Sequence, residues 1–245
     1  MSSALNTSTS VGLSVSQLVI KYGNVTAVDH VSFTAQPGRV TVILGPNGAG
    51  KSTAMKAVFG MLNLREGAVR LNGEDITHLT PQARVGKGMG FVPQTSNIFT
   101  SLTVEENLEM GAWTRPLGIR ERLAEMFELF PDLGEKRNQA AGSLSGGQRQ
   151  MVAMAKALMV DAKILLLDEP TAGLSPKYRG EIFTTIQKIK STGVPILIVE
   201  QNAKQALGVA DRGYVLVDGA NRYTGKGKEL LEDREIARMF LGGGH

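Results

Sequence analysis

The sequence predicts an α/β fold whose core is a mostly parallel sheet. Three short strands consist almost entirely of Val, Ile and Leu: "VTVILG" at 40–45, "KILLLDE" at 163–169 and "VPILIVE" at 194–200. Unbroken apolar strands that alternate with helical segments are typical of a parallel sheet covered on both faces. The segments at 13–22 and 28–36 instead alternate apolar and polar residues, which predicts a small antiparallel sheet on the N-terminal side.

An inserted helical subdomain is predicted between "GFVPQ" at 90–94 and the strand that begins near 164. Thr103 and Glu106 have the spacing of a capping box, so a helix is expected to begin there. We therefore expect one domain over 12–245, with a core at 12–94 and 160–245 and a helical subdomain at 95–159. The polar residues 1–11 are expected to form a flexible tail.

Composition excludes several classes of protein. The 245 residues are 42% hydrophobic, enough for one sizeable core, and they include no cysteine, so disulfides, thiolate metal sites and cysteine nucleophiles are excluded. The net charge of +4 is too diffuse to indicate a nucleic-acid partner. Apolar runs fall far short of the ~20 residues of a membrane span, and the first residues do not resemble a signal peptide. Any membrane role should be peripheral.

A phosphate-binding loop is predicted at "GPNGAGKST", which lies between an apolar strand and a helix. Its glycines let successive N–H groups face a polyphosphate, Lys51 would reach the β and γ phosphates, and Ser52 would ligate Mg²⁺. The alternative is a glycine-rich turn that only caps a helix. The predicted nucleotide contacts in this loop are Gly45, Pro46, Asn47, Gly48, Ala49, Gly50, Lys51, Ser52 and Thr53.

Two adjacent carboxylates follow the apolar strand "ILLL". Together with the phosphate loop they predict the second half of one site: Asp168 would hold Mg²⁺, and Glu169 would orient and polarise the attacking water. The alternative is a pair of carboxylates that is simply solvated at a strand end.

A second helix N-terminus that could bind an anion is predicted at "LSGGQRQ", residues 144–150. Ser145 can cap the helix, and Gly146 and Gly147 leave its first N–H groups uncovered. An ordinary Ser-Gly cap is the alternative. A single nucleotide does not obviously need two such sites.

The phosphate loop, "LSGGQ" and "LLLDE" resemble, in order and spacing, the ATP-binding cassette ATPases, the motors of ABC transporters. The resemblance implies a P-loop NTPase (RecA-like) fold, ATP and Mg²⁺ as ligands, and two cassettes that meet head to tail. Ser145, Gly147 and Gln148 of one cassette would then contact the nucleotide held by the other.

Further site residues follow from the same resemblance. Tyr22 is similar to the aromatic residue that stacks on adenine, with a core tyrosine as the alternative. Val28 is assigned to the same nucleotide site. Gln94 resembles the glutamine that senses Mg²⁺ and the attacking water. Phe99 and Leu102 are plausible contacts for a permease helix, although packing within the helical subdomain explains them equally well.

The family's switch strand corresponds to "ILIVEQN", whose end normally carries a histidine that reaches the γ phosphate. Here that position is Gln201, whose amide can donate a hydrogen bond but cannot become cationic or shuttle a proton near neutral pH. Nucleotide sensing is expected to survive while catalysis suffers. Solvated polar side chains are the alternative for Gln201, and a stronger alternative for Glu200 and Asn202. Ser175 stands where the family usually has aspartate, which puts communication between paired sites in doubt.

One branch of the family is indicated by "VEQNAKQAL", "ADRGYVL" and "MFLGGG": the second ATPase of branched-chain amino acid importers. That resemblance implies a second, non-identical cassette, two membrane permeases and, indirectly, a solute-binding protein, at the cytoplasmic face of the inner membrane. A urea or amide importer ATPase would look much the same.

Two other hypotheses for the function remain. One is a nucleotide-gated clamp without useful hydrolysis. The other is a soluble cassette of translation or DNA repair, a class that usually carries two cassettes or a coiled-coil insert.

Overall fold

The computed structural model describes residues 12–95, 97–115 and 117–241. The predicted tail at 1–11 lies outside the described residues. The strands are β1 Leu13–Tyr22, β2 Val25–Ala35, β3 Val40–Leu44, β4 Glu66–Leu71, β5 Glu74–Asp75, β6 Met89–Val92, β7 Ile164–Asp168, β8 Ile196–Val199, β9 Arg212–Val217 and β10 Ala220–Gly225. The helices are α1 Lys51–Val58, α2 Pro81–Gly86, α3 Val104–Gly111, α4 Ile119–Leu129, α5 Pro131–Gly134, α6 Gly146–Leu158, α7 Pro176–Ser191, α8 Ala203–Val209, α9 Gly227–Glu232 and α10 Arg234–Leu241.

The central sheet has six strands in the order β10-β9-β3-β8-β7-β6. Every pairing from β9 to β6 is parallel, and only β10 joins antiparallel at the edge. The predicted mostly parallel sheet is therefore confirmed. Because the strands are parallel, their carboxyl ends meet at one edge, and the phosphate loop, Asp168 and the end of β8 all lie there.

Both faces of this sheet are buried, which explains why its strands are apolar without interruption. In β7, Leu165 and Leu167 join a core formed with α3, α4, α6 and α7, whereas Ile164 and Leu166 face a second core formed with α1 and the antiparallel sheet. Successive side chains of a strand point to opposite faces, so a strand with two buried faces needs apolar residues at every position.

The antiparallel sheet predicted on the N-terminal side is also confirmed. Its four strands lie in the order β2-β1-β4-β5, and β1 and β2 form a hairpin with Tyr22 opposite Val25 at its tip. This sheet packs on α1 through Ile20, Val31 and Phe33. The hairpin is thereby held against the helix that follows the phosphate loop.

The described elements between 95 and 159 are helical, and α3 begins at the predicted capping box. The Thr103 N–H donates to Glu106 Oε2 at 2.7 Å, and the Glu106 N–H donates to Thr103 Oγ1 at 3.2 Å. Leu108 and Leu123 of this region belong to the same core as Leu165 of the sheet. The inserted helices therefore share their core with the sheet.

In the part of the chain that the structure describes, the helices are all too short or too polar to cross a lipid bilayer.

Candidate active site

The phosphate loop is a tight backbone turn between β3 and α1 that requires glycine at two points. Gly50 caps α1 with φ of 86°, and a Cβ there would lie 2.4 Å from the Ala27 carbonyl oxygen. A Cβ on Gly45 would lie 2.4 Å from the Leu216 carbonyl oxygen. The loop is thus pressed between β2 and β9, with no room for a side chain at either glycine.

Lys51 is buried at the start of α1. Its ammonium donates to the carbonyl oxygens of Gly45 at 2.9 Å and Pro46 at 3.0 Å, so it closes the loop on itself. Burial lowers the pKa of Lys51, and the carboxylates of Glu169 and Asp168 oppose that shift. A phosphate would exchange two neutral acceptors for an anionic one at this ammonium.

Ser52 and Asp168 come together where a divalent cation would bind. The Ser52 hydroxyl donates to Asp168 Oδ1 at 3.0 Å. Burial raises the pKa of Asp168, and the Ser52 hydrogen bond opposes the rise. Among residues 12–241, with 96 and 116 excepted, no group of three His, Asp or Glu side chains could hold a metal by itself. A hydroxyl beside one carboxylate suits Mg²⁺, which takes few protein ligands and completes its shell with phosphate and water oxygens.

Glu169 is held by two side-chain amides, one for each carboxylate oxygen. Gln94 Nε2 donates to Oε2 at 2.9 Å, and Gln201 Nε2 donates to Oε1 at 2.8 Å. The Glu169 backbone has φ of 49°, in the left-handed region, and its N–H donates to the Val199 carbonyl at 2.9 Å. The carboxylate faces a cleft of about 500 Å³ that Gln94, Gln201 and Arg179 also line. The alternative of a solvated carboxylate pair is wrong, because Asp168 and Glu169 are both buried.

The alternative of a solvated Glu200 is also wrong. Only 2% of Glu200 is exposed, and its carboxylate accepts hydrogen bonds from Thr171, Gln201 and Asn202. Burial raises the pKa of Glu200, and these hydrogen bonds oppose the rise. Sequence reasoning missed this residue, although a charge placed directly after four buried aliphatics was a signal for a partnered carboxylate. Asn202 is not free in solvent either, since its Oδ1 accepts from the Gln205 N–H and caps α8.

Tyr22 and Val28, both assigned to the nucleotide site, differ in exposure. Tyr22 is 51% exposed at the tip of the β1–β2 hairpin, so the alternative of a core tyrosine is wrong. Val28 has no exposed surface, and its Cγ2 lies 3.2 Å from where a Cβ on Gly50 would stand. The side chain of Val28 therefore packs against the phosphate loop, and its assignment to the nucleotide site stays a prediction.

The "LSGGQ" segment begins α6 as predicted. The Gln148 N–H donates to Ser145 Oγ at 3.3 Å, and the Ser145 N–H donates to Gln148 Oε1 at 3.1 Å, which completes a capping box. Gly147 is buried against Tyr178 of α7, whose Cδ1 lies 2.7 Å from the position of an added Cβ. Ser175 occupies the N-cap position of α7 without a side-chain capping bond.

The two predicted anion sites belong to different parts of the molecule. Helix α1 packs against β1, β2, β7 and β8, whereas α6 packs against α3, α5, α7 and β6. Gln94, Glu169 and Gln201 line one cleft, and Ser145 and Gln148 are not among its lining residues. The structure brings together Lys51, Ser52, Asp168, Glu169, Gln94 and Gln201, but it does not bring Ser145 to them.

Comparison with known proteins gives a consistent result. Residues 28–172 match the family described as ABC transporter. The chain is 44% identical, over 83% of its length and 87% of the relative's, to a probable branched-chain amino acid transport ATP-binding protein LivF from Archaeoglobus fulgidus. It is 39% identical, over 94% of its length and all of the relative's, to the high-affinity branched-chain amino acid transport ATP-binding protein BraG from Pseudomonas aeruginosa.

More distant relatives include the lipopolysaccharide export system ATP-binding protein LptB from Escherichia coli K12, at 33% identity over 94% of this chain and 97% of its own. Among solved structures, the chain is similar to an ATP-binding cassette of an ABC transporter in its ADP conformation. That match has a TM-score of 0.85 at 30% identity and covers 95% of this chain and 99% of the other.

Proposed function

This chain belongs to the ABC transporter family as an ATP-hydrolysing subunit, and from that premise we propose that it powers the import of branched-chain amino acids. In this role the chain pairs head to tail with a second, non-identical cassette and drives two permeases at the cytoplasmic face of the cell membrane. A solute-binding protein would deliver the amino acid on the other side.

The chain's own residues supply binding and orientation. The N–H groups of the loop at 45–50 and the Lys51 ammonium would hold the phosphates of ATP. Glu169 would accept a hydrogen bond from the attacking water and orient it in line with the γ phosphate. Ser52 and Asp168 would hold Mg²⁺, which neutralises charge on the β and γ phosphates. Gln94 is assigned to the same ion and water, and Tyr22 to adenine.

The observation that carries this assignment is the pair of amides on Glu169. Gln94 and Gln201 come from different segments, yet each donates to one oxygen of this carboxylate within 3 Å. Two neutral donors, one on each oxygen, fix the plane of this carboxylate, and a water-orienting base requires such a fixed orientation.

Substitution of Glu169 tests the catalytic role in the assembled transporter. Glu169→Gln should lower the single-turnover rate of ATP hydrolysis by at least about 100-fold, as expected for loss of a general base, while ATP binding persists. Glu128→Gln, which changes an exposed glutamate on α4, is the matched control. A Glu169→Gln rate equal to that of Glu128→Gln would contradict the assignment.

A clamp that binds ATP without hydrolysing it at this site is the second candidate. It is favoured by Gln201, which stands where the family has a titratable imidazole and whose amide occupies one oxygen of Glu169. The same single-turnover assay separates the two functions when the partner cassette is inactivated. Persistent hydrolysis would then come from this chain's own site and would exclude the clamp.

Head-to-tail pairing is supported by the separation of Ser145 from the phosphate loop. Ser145→Arg in this chain should impair hydrolysis at the partner's site and spare its own, since the added cation and bulk would block the partner's nucleotide. Ser191→Arg, at the exposed end of α7, is the control. Gly147 is a poor test position because any side chain there would strike Tyr178. Impairment confined to the substituted chain's own site would refute this arrangement.

The relatives' names and the segment "VEQNAKQAL" support the proposal that the cargo is a branched-chain amino acid and that the partners are membrane permeases. The test measures the ATPase rate of the purified complex in the presence of its solute-binding protein. Stimulation by leucine, isoleucine or valine is compared with stimulation by urea and short amides. Stimulation only by the latter would favour the related importer. Co-purification with nucleic acid instead of permeases would favour a soluble cassette.

A further inference from the structure

We propose that Glu200 is a positioning residue: its buried carboxylate ties the loop after β7 to the backbone after β8 and so holds Gln201 against Glu169. This inference rests on the proposed catalytic role of Glu169. It concerns a residue that the phosphate chemistry itself does not use.

Glu200 is a junction of four hydrogen bonds. Its Oε1 accepts from the Thr171 N–H at 3.0 Å and the Thr171 hydroxyl at 2.7 Å. Its Oε2 accepts from the N–H groups of Gln201 at 3.1 Å and Asn202 at 3.4 Å. A single side chain therefore joins two loops at the carboxyl edge of the sheet.

Only a carboxylate fits this arrangement. All four partners donate, and an ionised carboxylate offers about four acceptor positions and no hydrogen of its own. A glutamine at 200 would direct its NH₂ group either at the Thr171 N–H or at the N–H groups of Gln201 and Asn202, and burial keeps bulk water from relieving the conflict. The hydrogen bonds from Thr171, Gln201 and Asn202 offset the cost of burying this carboxyl group.

The two loops that Glu200 joins are the ones that flank the catalytic carboxylate. Thr171 follows Glu169 by two residues, and Gln201 donates its side-chain amide to Glu169 Oε1. Because the Gln201 N–H is fixed by Glu200, the origin of its side chain is fixed relative to β7. Loss of the junction frees both ends of the Gln201–Glu169 contact, whose geometry governs the position of the attacking water.

Two variants test the junction in the assembled transporter. Glu200→Gln should lower the single-turnover hydrolysis rate by about 10- to 100-fold, the range expected when a catalytic group is misplaced by about 1 Å. Thr171→Val removes only the hydroxyl donor and should lower it by about tenfold, as for one hydrogen bond to a charged group. Rates are expressed per bound nucleotide, so that misfolded protein does not contribute.

The affinity for ATP should change by less than about threefold in both variants, because neither substitution removes a hydrogen bond of Lys51 or of the phosphate loop. The double variant should be no slower than Glu200→Gln, since Thr171 acts through Glu200. Thr185→Val is the matched control: it removes another buried hydroxyl, which donates to the Glu181 carbonyl at 2.9 Å within α7. Its rate should stay at the wild-type value.

The inference is overturned if Glu200→Gln and Thr171→Val hydrolyse ATP at the rate of Thr185→Val once corrected for bound nucleotide. It is equally overturned if ATP affinity and rate fall in step, which would indicate a purely structural role. Glu169→Gln, measured alongside, separates failure of the catalytic role of Glu169 from failure of the positioning role of Glu200. If that variant is also fully active, the proposed function fails; if it is inactive while the other two are normal, only the positioning role fails.

Discussion

Replacement of Arg84 by methionine should be among the most destabilising single changes in this chain. Arg84 is almost completely buried between α2 and the end of α1. Its guanidinium donates to four backbone carbonyls, those of Ala57, Val58, Thr77 and Leu79. Two of these terminate α1, the helix that begins at the phosphate loop, so a cation stands at the negative end of that helix.

The size of the expected loss in unfolding free energy depends on which of the four carbonyls keep another hydrogen-bond donor in Arg84→Met. Ala57 also accepts from the Gly60 N–H at 2.9 Å, so Arg84→Met leaves three carbonyls that depended on the guanidinium. An unsatisfied buried acceptor costs about 1–3 kcal/mol, and partial access of water to the site reduces the sum, so we expect a loss of about 4 kcal/mol. A domain is typically stable by about 5–15 kcal/mol, so this loss is a large share of the total.

The assay is urea unfolding of the purified chain without nucleotide, followed by circular dichroism and compared at equal m values. Arg84→Lys, with fewer donors and a shorter reach, should lose about half as much. Arg70→Met is the control, because Arg70 is half exposed and its ion pair with Asp75, at 3.8 Å, is screened by solvent and contributes little to stability. A loss for Arg84→Met no larger than for Arg70→Met would refute the reasoning.

Three further predictions concern the loop and the sheet. Lys51→Ala should abolish ATP binding at this chain's own site in an equilibrium binding assay, whereas Lys163→Ala, at the opposite end of β7, should not. Gly50→Ala should weaken ATP binding at least about tenfold and destabilise the chain more than Gly73→Ala; both have φ near 85°, but only at Gly50 does a backbone oxygen lie 2.4 Å from the new Cβ. Asp211→Asn should reduce stability by about 1 kcal/mol at pH 7. Burial raises the pKa of Asp211, but hydrogen bonds from Lys190, the Val40 N–H and Arg39 outweigh it and lower the pKa below 3.8. The stabilisation by the carboxylate is therefore present above pH 3.8 and is lost as the pH falls through the folded pKa. In thermal melts, the difference in melting temperature between the two proteins should therefore shrink as the pH is lowered below 3.8.

Local patterns were enough to predict much of this molecule. The apolar strands around 42, 166 and 197, the capping box at Thr103 and the Ser145 cap all appear where the sequence placed them. Each depends on neighbours within a few residues, because strand alternation and helix capping are set by the backbone close by. The phosphate loop is of the same kind, since its glycines and Lys51 form one continuous segment.

Contacts between distant segments were beyond such patterns. Nothing near Glu200 in the sequence indicates Thr171 as its partner. Arg84 lies in a polar helix, and the four carbonyls that accept from its guanidinium come from two other segments. The burial of Val28 beside the phosphate loop is likewise a tertiary contact that its place in the sequence did not indicate. Whether a charge at a strand end is solvated or buried depends on which loop crosses over it.

The sequence by itself determined the fold class, the phosphate loop and the identity of the two carboxylates, because each is written in contiguous residues with a local physical requirement. Only the tertiary structure decided that Gln94 and Gln201 meet on Glu169, and that Glu200 is a buried junction. The reason is that parallel strands distant along the chain deliver their carboxyl ends to one edge, and hydrogen bonds there depend on angström-scale distances that a linear pattern does not contain.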